Sequence, residues 1–263
     1  MPINLVDQYQ AGRSLIHLLD ARVKVAAAGL LILLISLTPA GAWPAYLLLL
    51  AIVLSLIITA EISVLFVWRR SLIALPFALA AATLLFTVPG PTVFELPVVG
   101  WAVSAPGLAR FLSILFKSWL SVQVATALAV TTHFTDLLWA LHALRVPKLL
   151  VAIISFMVRY LFVLADEAFR MARARQARSA APADGSRAGG SLAWRARVTG
   201  WMVGQLFLRS YERSERVYQA MAARGYRGEI RRLAPPAVAA RDLALGAVPV
   251  VAAGLVVVAS LLW

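Results

Sequence analysis

The sequence predicts an all-α membrane protein with about five transmembrane helices and a cytoplasmic helical hairpin inserted before the last span. Three observations carry that expectation. Hydrophobic residues make up 62% of the 263, and the mean hydropathy of +0.84 is too apolar for one or two soluble domains. The chain nevertheless has a formal charge of +13. That charge is localised, because residues 145–241 hold 18 Lys and Arg against 6 Asp and Glu. Cysteine is absent, which excludes a disulfide framework, a thiolate metal site and a cysteine nucleophile.

The membrane part is expected over residues 1–133, with spans at about 25–38, 44–60, 71–88 and 107–130. The first residues carry Asp7 and Asp20 and no long apolar core, so no cleavable signal peptide is expected. Arg13, Arg22 and Lys24 precede the first apolar run, which Pro39-Ala40-Gly41 ends. A hydrocarbon core of about 30 Å takes roughly 20 helical residues, so the run spans once Ala21 to Lys24 join it with snorkelling basic ends. The second span has Trp43 and Tyr46 at one interface. Glu61, Arg69 and Arg70 bracket a short connection that includes Trp68, and the third span contains Pro76, which removes a backbone donor and kinks it.

From Pro89 to Pro106 the chain has one acid, Glu95, and no Lys or Arg, an irregular loop or short hairpin. The fourth span contains Arg110 and Lys117. A lysine in hydrocarbon costs on the order of 2.5 to 3.5 kcal/mol. Lys117 therefore either faces protein or a wet cleft, or snorkels towards the headgroups. Residues 242–263 form the last span.

Orientation follows from the basic residues. The two candidate outer loops, 38–43 and 89–106, contain no Lys or Arg, whereas the amino terminus, the 61–71 connection and residues 145–241 are basic. The amino terminus is expected in the cytoplasm and the carboxyl terminus outside. Leu149 to Ala165 is apolar enough to suggest a further span. Crossing there would put Arg159 in mid-membrane and Arg170, Arg173, Arg175 and Arg178 outside, so the segment is read as cytoplasmic.

The cytoplasmic domain, 134–241, then begins with a short helix capped by Thr135-Asp136 and ending near Arg145-Val146-Pro147. Two long helices follow, at about 148–178 and 191–224. Residues 179–190, with Pro182, Gly185, Gly189 and Gly190, form the turn between them, and Pro235-Pro236 breaks the chain before the last span. The second helix ends Ala222-Ala223-Arg224-Gly225. A strong helix-forming run followed by glycine marks a C-terminal cap, with the arginine displayed at its tip. Ala177-Arg178-Ser179 is a second such tip.

The chemical inventory excludes most enzymes. No paired-carboxylate motif, H-E-x-x-H or glycine-rich phosphate loop occurs, and His17, His133 and His142 are scattered. A lipid-modifying enzyme using the Arg110 and Lys117 region lacks a nucleophile or acid-base pair. The basic hairpin has three readings: a solvated face with anionic-lipid contact, including Arg195, Arg197, Arg231 and Arg232; nucleic-acid binding, disfavoured on a membrane-tethered hairpin; and docking to a partner. Small residues beside each arginine favour docking, because a partner surface can close around the guanidinium. A membrane scaffold without an ATPase is the competing class.

Three further stretches carry a resemblance. Leu19-Asp20-Ala21-Arg22-Val23-Lys24, then Leu144-Arg145-Val146-Pro147 with Arg159-Tyr160, and Arg213 through Tyr226 (R-S-E-R-V-Y-Q-A-M-A-A-R-G-Y) resemble the T component of energy-coupling factor transporters, in its cobalt/nickel CbiQ-type branch. The resemblance covers nearly the whole chain. It implies a non-catalytic subunit of a prokaryotic plasma membrane that holds a membrane substrate-binding subunit and two ABC-type ATPase subunits, for cobalt or nickel uptake or, as the alternative, serving a vitamin-type substrate subunit. ATP would be bound on those partners, with no cofactor or metal on this chain. By position, it implies ATPase-coupling roles for Ala177, Arg178 and Ser179 and for Ala223, Arg224 and Gly225. Ser179 stands where glycine is common, so Arg175 is a possible substitute in the first motif, and Ala21 stands where proline is frequent.

Overall fold

A computed structural model describes residues 9–12, 14–74, 76, 80–96, 101–178, 191–227 and 238–262. The chain divides into two compact units, residues 1–144 with 234–263, and residues 145–233. The 179–190 turn with Ser179, the Pro235-Pro236 break, and Arg13, Arg231 and Arg232 lie outside the described residues.

The first unit opens with a single helical turn, α1 (Leu15–Leu18), and α2 (Ala21–Leu37). Asp20 starts α2 by accepting the Arg22 N–H at 2.8 Å, which satisfies one of the donors a helix N-terminus leaves open. Helix α2 therefore begins at Ala21, and Lys24 is part of it. Gly41, at φ +87°, makes the left-handed turn into α3 (Trp43–Thr59), with Pro44 in the first turn where a missing N–H is harmless. The Gly41 N–H donates to Ser113 Oγ at 3.0 Å.

Leu31 and Ile35 of α2 and Leu49, Val53 and Ile57 of α3 are buried at four-residue spacing, joined by Val67, Leu120, Val124 and Ala253. The opposite faces are also apolar, with Leu30, Leu33, Leu37, Leu47, Leu48 and Ile58 exposed. Helices apolar all round suit lipid rather than water.

The connection before the third expected span differs from its sequence reading. Helix α4 (Val64–Ser71) starts before residue 71, so Trp68, Arg69 and Arg70 are helical rather than part of a connection. Beyond it lie 3-10 turns at Leu72–Ala74 and Ala81–Thr83 and the short α5 (Leu84–Thr87). Pro76 is itself helical. Strand β1 (Thr92–Leu96) pairs antiparallel with β2 (Trp101–Ser104), with Thr92 opposite Ser104 and Leu96 opposite Trp101.

Helix α6 (Ala105–Thr131) is capped by Ser104, whose Oγ accepts the Gly107 N–H at 3.2 Å. It runs antiparallel to α2, and two lysines cross-tie the pair. Lys24 of α2 donates to the Thr131 carbonyl at 2.9 Å, at the end of α6, and to the His17 carbonyl at 3.0 Å. Lys117 of α6 donates to the Ser36 carbonyl at 3.0 Å, at the end of α2. Each ammonium thus meets carbonyls that a helix C-terminus leaves without intrahelical donors, where the helix dipole also favours a cation. Of the alternatives for Lys117, contact with protein is the one observed.

Helix α7 (Phe134–Ala143) starts at His133 with no side-chain cap, and Asp136 lies in its first turn. The expected Thr135-Asp136 cap is displaced because the backbone already turns helical at Phe134; Asp136 instead complements the helix dipole. The Arg22 guanidinium stacks 3.7 Å above the Trp139 ring. The last helix of this unit, α10 (Ala240–Leu262), contains Pro249. A Cβ on its Gly246 would come within 2.2 Å of Val23, so glycine permits close approach to α2 there.

The second unit contains α8 (Lys148–Arg178) and α9 (Leu192–Ala223), entered through Arg145 at φ +66°. Helices α6, α8 and α10 are each long and apolar enough to cross a membrane, and α3 is a shorter apolar helix. Length and composition alone admit α8 as a span; the charge carried by Arg159 and the arginines of its second half is the reason to read it otherwise.

Candidate functional site

The site is built on the two helix ends, and the end of α9 shows its construction fully. Arg224 is the last helix-flanking residue, and Gly225 follows at φ +80°. The Gly225 N–H donates to the Ala222 carbonyl at 2.9 Å and the Tyr226 N–H reaches back to the Met221 carbonyl at 3.0 Å. These two bonds define a Schellman cap, which closes carbonyls left open at a helix C-terminus. Tyr226 then packs edge-on against Phe156 of α8, ring centroids 6.4 Å apart. The cap is thereby pinned to the neighbouring helix, while Ala222, Ala223 and Arg224 remain exposed.

Open space surrounds the position of a Cβ on Gly225, so the requirement for glycine is conformational rather than steric. Gly225→Ala is therefore expected to loosen the cap by about 1 to 2 kcal/mol, the cost of a left-handed residue bearing a Cβ. Amide hydrogen exchange at Tyr226 measures it, and unchanged protection there would contradict the cap's dependence on glycine.

At the other end, Ala177 and Arg178 occupy the last turn of α8 and are exposed. Arg175 is only half-exposed, and its Nη1 donates to Thr199 Oγ1 of α9 at 3.1 Å. The two arginines, one helical turn apart, thus differ: Arg175 ties α8 to α9, and Arg178 is exposed. Ser179 lies outside the described residues.

A second tie lies further along. Glu167 accepts hydrogen bonds from Arg170 on its own helix and from Arg209 of α9, the latter at 2.9 Å. The guanidiniums of Arg170 and then Arg209 hold the Glu167 carboxyl below the usual carboxylate range. Sequence reading missed this tie, although Glu167 followed three residues later by Arg170 was a visible local signal. Arg209, 42 residues away, was not.

Three pairings, Arg175 with Thr199, Glu167 with Arg209 and Phe156 with Tyr226, order the helices as an antiparallel hairpin. Arg178 and Arg224 consequently sit at opposite ends of it. At 1.5 Å per residue their separation along the axis is about 40 Å. Between them a groove of about 580 Å³ is lined by Ile153, Phe156, Met157, Phe207 and Tyr211 among others, several of them exposed large apolar side chains. Among the described residues no group of three or more His, Cys, Asp or Glu converges as a metal site.

Comparison with known proteins decides the family. A family model described as "Cobalt transport protein", CbiQ, matches residues 12–235. The chain belongs to the CbiQ family. It is a transmembrane transport component of the energy-coupling factor type, and a multi-pass membrane protein. Its similarity to an energy-coupling factor transporter transmembrane protein EcfT of Listeria innocua is 28% identity over 85% of both chains. A cobalt transport protein CbiQ of Rhodobacter capsulatus is 30% identical over 64% of this chain and 66% of that one. An uncharacterized protein of Methanocaldococcus jannaschii is 27% identical over 60% of this chain. In that last case the match spans about half the relative's length, 52%.

Proposed function

We propose that this CbiQ-family chain is the coupling subunit of an ABC-type importer, transmitting ATP-driven motion of two cytoplasmic ATPases to a membrane substrate-binding subunit. The observation that carries the reading is the placement of two exposed arginine tips at opposite ends of one cross-tied hairpin. A spacing of about 40 Å suits two separate ATPase subunits better than two grips on one. Residues 134–241 are read as the cytoplasmic coupling domain, the amino terminus as cytoplasmic and the carboxyl terminus as outside. ATP is bound and hydrolysed on the partners, and this chain supplies positioning rather than catalysis. The family description and the Rhodobacter relative's name favour cobalt as cargo, and the resemblance extends this to nickel; the ligands for it would reside in the partner subunit.

Stiffness supports the role. Bending a long helix breaks its backbone ladder, and the ties at Glu167 and Arg175 keep α8 and α9 from sliding past one another. ATPase closure would displace the two docked tips, and the tied helices would pass that displacement on as one lever.

Arginine replacements in the first motif test the reading. Arg178→Ala is expected to reduce ATPase co-purification and uptake, whereas Arg175→Ala, which loses the Thr199 tie within the hairpin, should keep ATPase capture close to normal. A more damaging Arg175→Ala would move the first coupling motif by one helical turn. Normal capture in an Arg178→Ala, Arg224→Ala double variant would overturn the docking role altogether.

A further inference from the structure

Three consecutive residues in the first turn of α2 each hold a different helix. The Arg22 guanidinium lies 3.7 Å above the Trp139 ring of α7. Val23 stands against Gly246 of α10, where a Cβ would come within 2.2 Å of it. The Lys24 ammonium donates to the Thr131 carbonyl at the end of α6. Successive helix positions are turned by about 100°, so three neighbouring side chains can reach three separate partners. Asp20 fixes the turn, accepting the Arg22 N–H on its carboxylate and the Lys24 N–H on its carbonyl at 3.1 Å.

We propose that Arg22 is a positioning residue for transport: its stack on Trp139 is the joint through which movement of the hairpin enters α2, and Val23 and Lys24 spread it to α10 and α6. The proposal rests on the coupling role of the hairpin. Helix α7 is the last element of the membrane unit before the hairpin, and it packs on α2 with Leu138 and Ala140 buried. The connection from α7 to α8 has little freedom to absorb a displacement. Arg145 is held at φ +66°, the Pro147 ring fixes its own φ, and Val146 is turned away from helical conformations by the proline after it.

The stack supplies what packing alone lacks. Apolar contact is non-directional, so two helices can slide across it, whereas a guanidinium is drawn to the face of an indole and resists sliding. The competing route is the backbone itself, because only the extended pair Thr132-His133 separates α6 from α7.

The test is amide hydrogen exchange in the assembled complex of this full chain with its ATPases and substrate-binding subunit, with and without a non-hydrolysable ATP analogue. In the wild type the analogue is expected to change exchange in α8 and α9 and, by about fivefold, in the first turn of α2, a factor equivalent to about 1 kcal/mol and on the scale of one cation–π contact. Arg22→Gln and Trp139→Leu should each keep the response of the hairpin and the capture of ATPases while cutting the response of α2 to less than about twofold. The double variant should be no worse than either single one, because both remove the same contact. Trp139→Phe, which keeps a ring face, should retain most of the response. An undiminished α2 response in Arg22→Gln and Trp139→Leu would overturn the joint in favour of the backbone route. Faster α2 exchange with the nucleotide-dependent change preserved would also overturn it, leaving Arg22 a structural tie, and so would loss of ATPase capture. A wild-type hairpin that does not respond to the analogue would overturn the coupling role, and this joint with it.

Discussion

Arg224→Ala is expected to abolish uptake while leaving the protein inserted and folded. The guanidinium is exposed at the end of α9, and among the described residues it has no partner to lose. The Schellman cap beside it is made by backbone groups of Met221, Ala222, Gly225 and Tyr226, none of which needs the arginine side chain. Removing an arginine that anchors an interface costs 2 kcal/mol or more, roughly a thirtyfold loss of affinity. Arg224→Glu should be worse, because a negative charge at a helix C-terminus adds about 0.3 to 1 kcal/mol of unfavourable dipole interaction. Co-purification of the ATPases and uptake into cells are the two readouts. Uptake lost with ATPase capture intact would move the role of Arg224 from docking to transmission.

Lys24→Met is expected to destabilise the membrane unit more than any other replacement of a charged residue there. Lys24 is 8% exposed, and its ammonium serves the carbonyls of both Thr131 and His17. Methionine fills the stem but leaves two carbonyls without that donor, about 1 to 3 kcal/mol for each that finds no water. The midpoint of thermal unfolding in detergent should fall by several degrees. Lys117→Met removes one bond, to the Ser36 carbonyl, from a less buried site and should shift the midpoint less. A Lys24→Met protein as stable as the wild type would show that α2 and α6 do not depend on this tie.

The two lysines show what a linear reading can reach. The cost of placing Lys117 in hydrocarbon was plain from composition, but protein contact and snorkelling met it equally well. Its partner, the Ser36 carbonyl, is 81 residues away and belongs to a helix end whose location depends on packing. Lys24 was read as a snorkelling end because it borders an apolar run, and only the return of α6 to the same level turns it inward. The Gly225 cap was legible residue by residue, since few residues other than glycine sit easily at positive φ and the helix-forming run before it was unambiguous. The Thr135-Asp136 cap failed for a related reason: acids are favoured both at a cap and in the first turn, and sequence alone does not separate the two. The connection at 61–71 was misread because Trp68-Arg69-Arg70 has the composition of a loop yet packs as helix, with Trp68 against Trp119. For the site, the two tips were visible as sequence. Their placement at opposite ends of one antiparallel hairpin came from Glu167, Arg175 and Tyr226 and their partners on the other helix.

The absence of cysteine makes the central claim directly measurable. Single cysteines at Ala177 and Ala223, each beside its arginine, give unique attachment points for cross-linking to cysteines placed on the ATPase surface. The double Ala177→Cys, Ala223→Cys protein is expected to form an adduct containing one copy of this chain and two ATPase subunits, with yields at the two positions that change when ATP binds. An adduct that never exceeds one ATPase per chain, or cross-linking at neither position, would contradict the two-point grip.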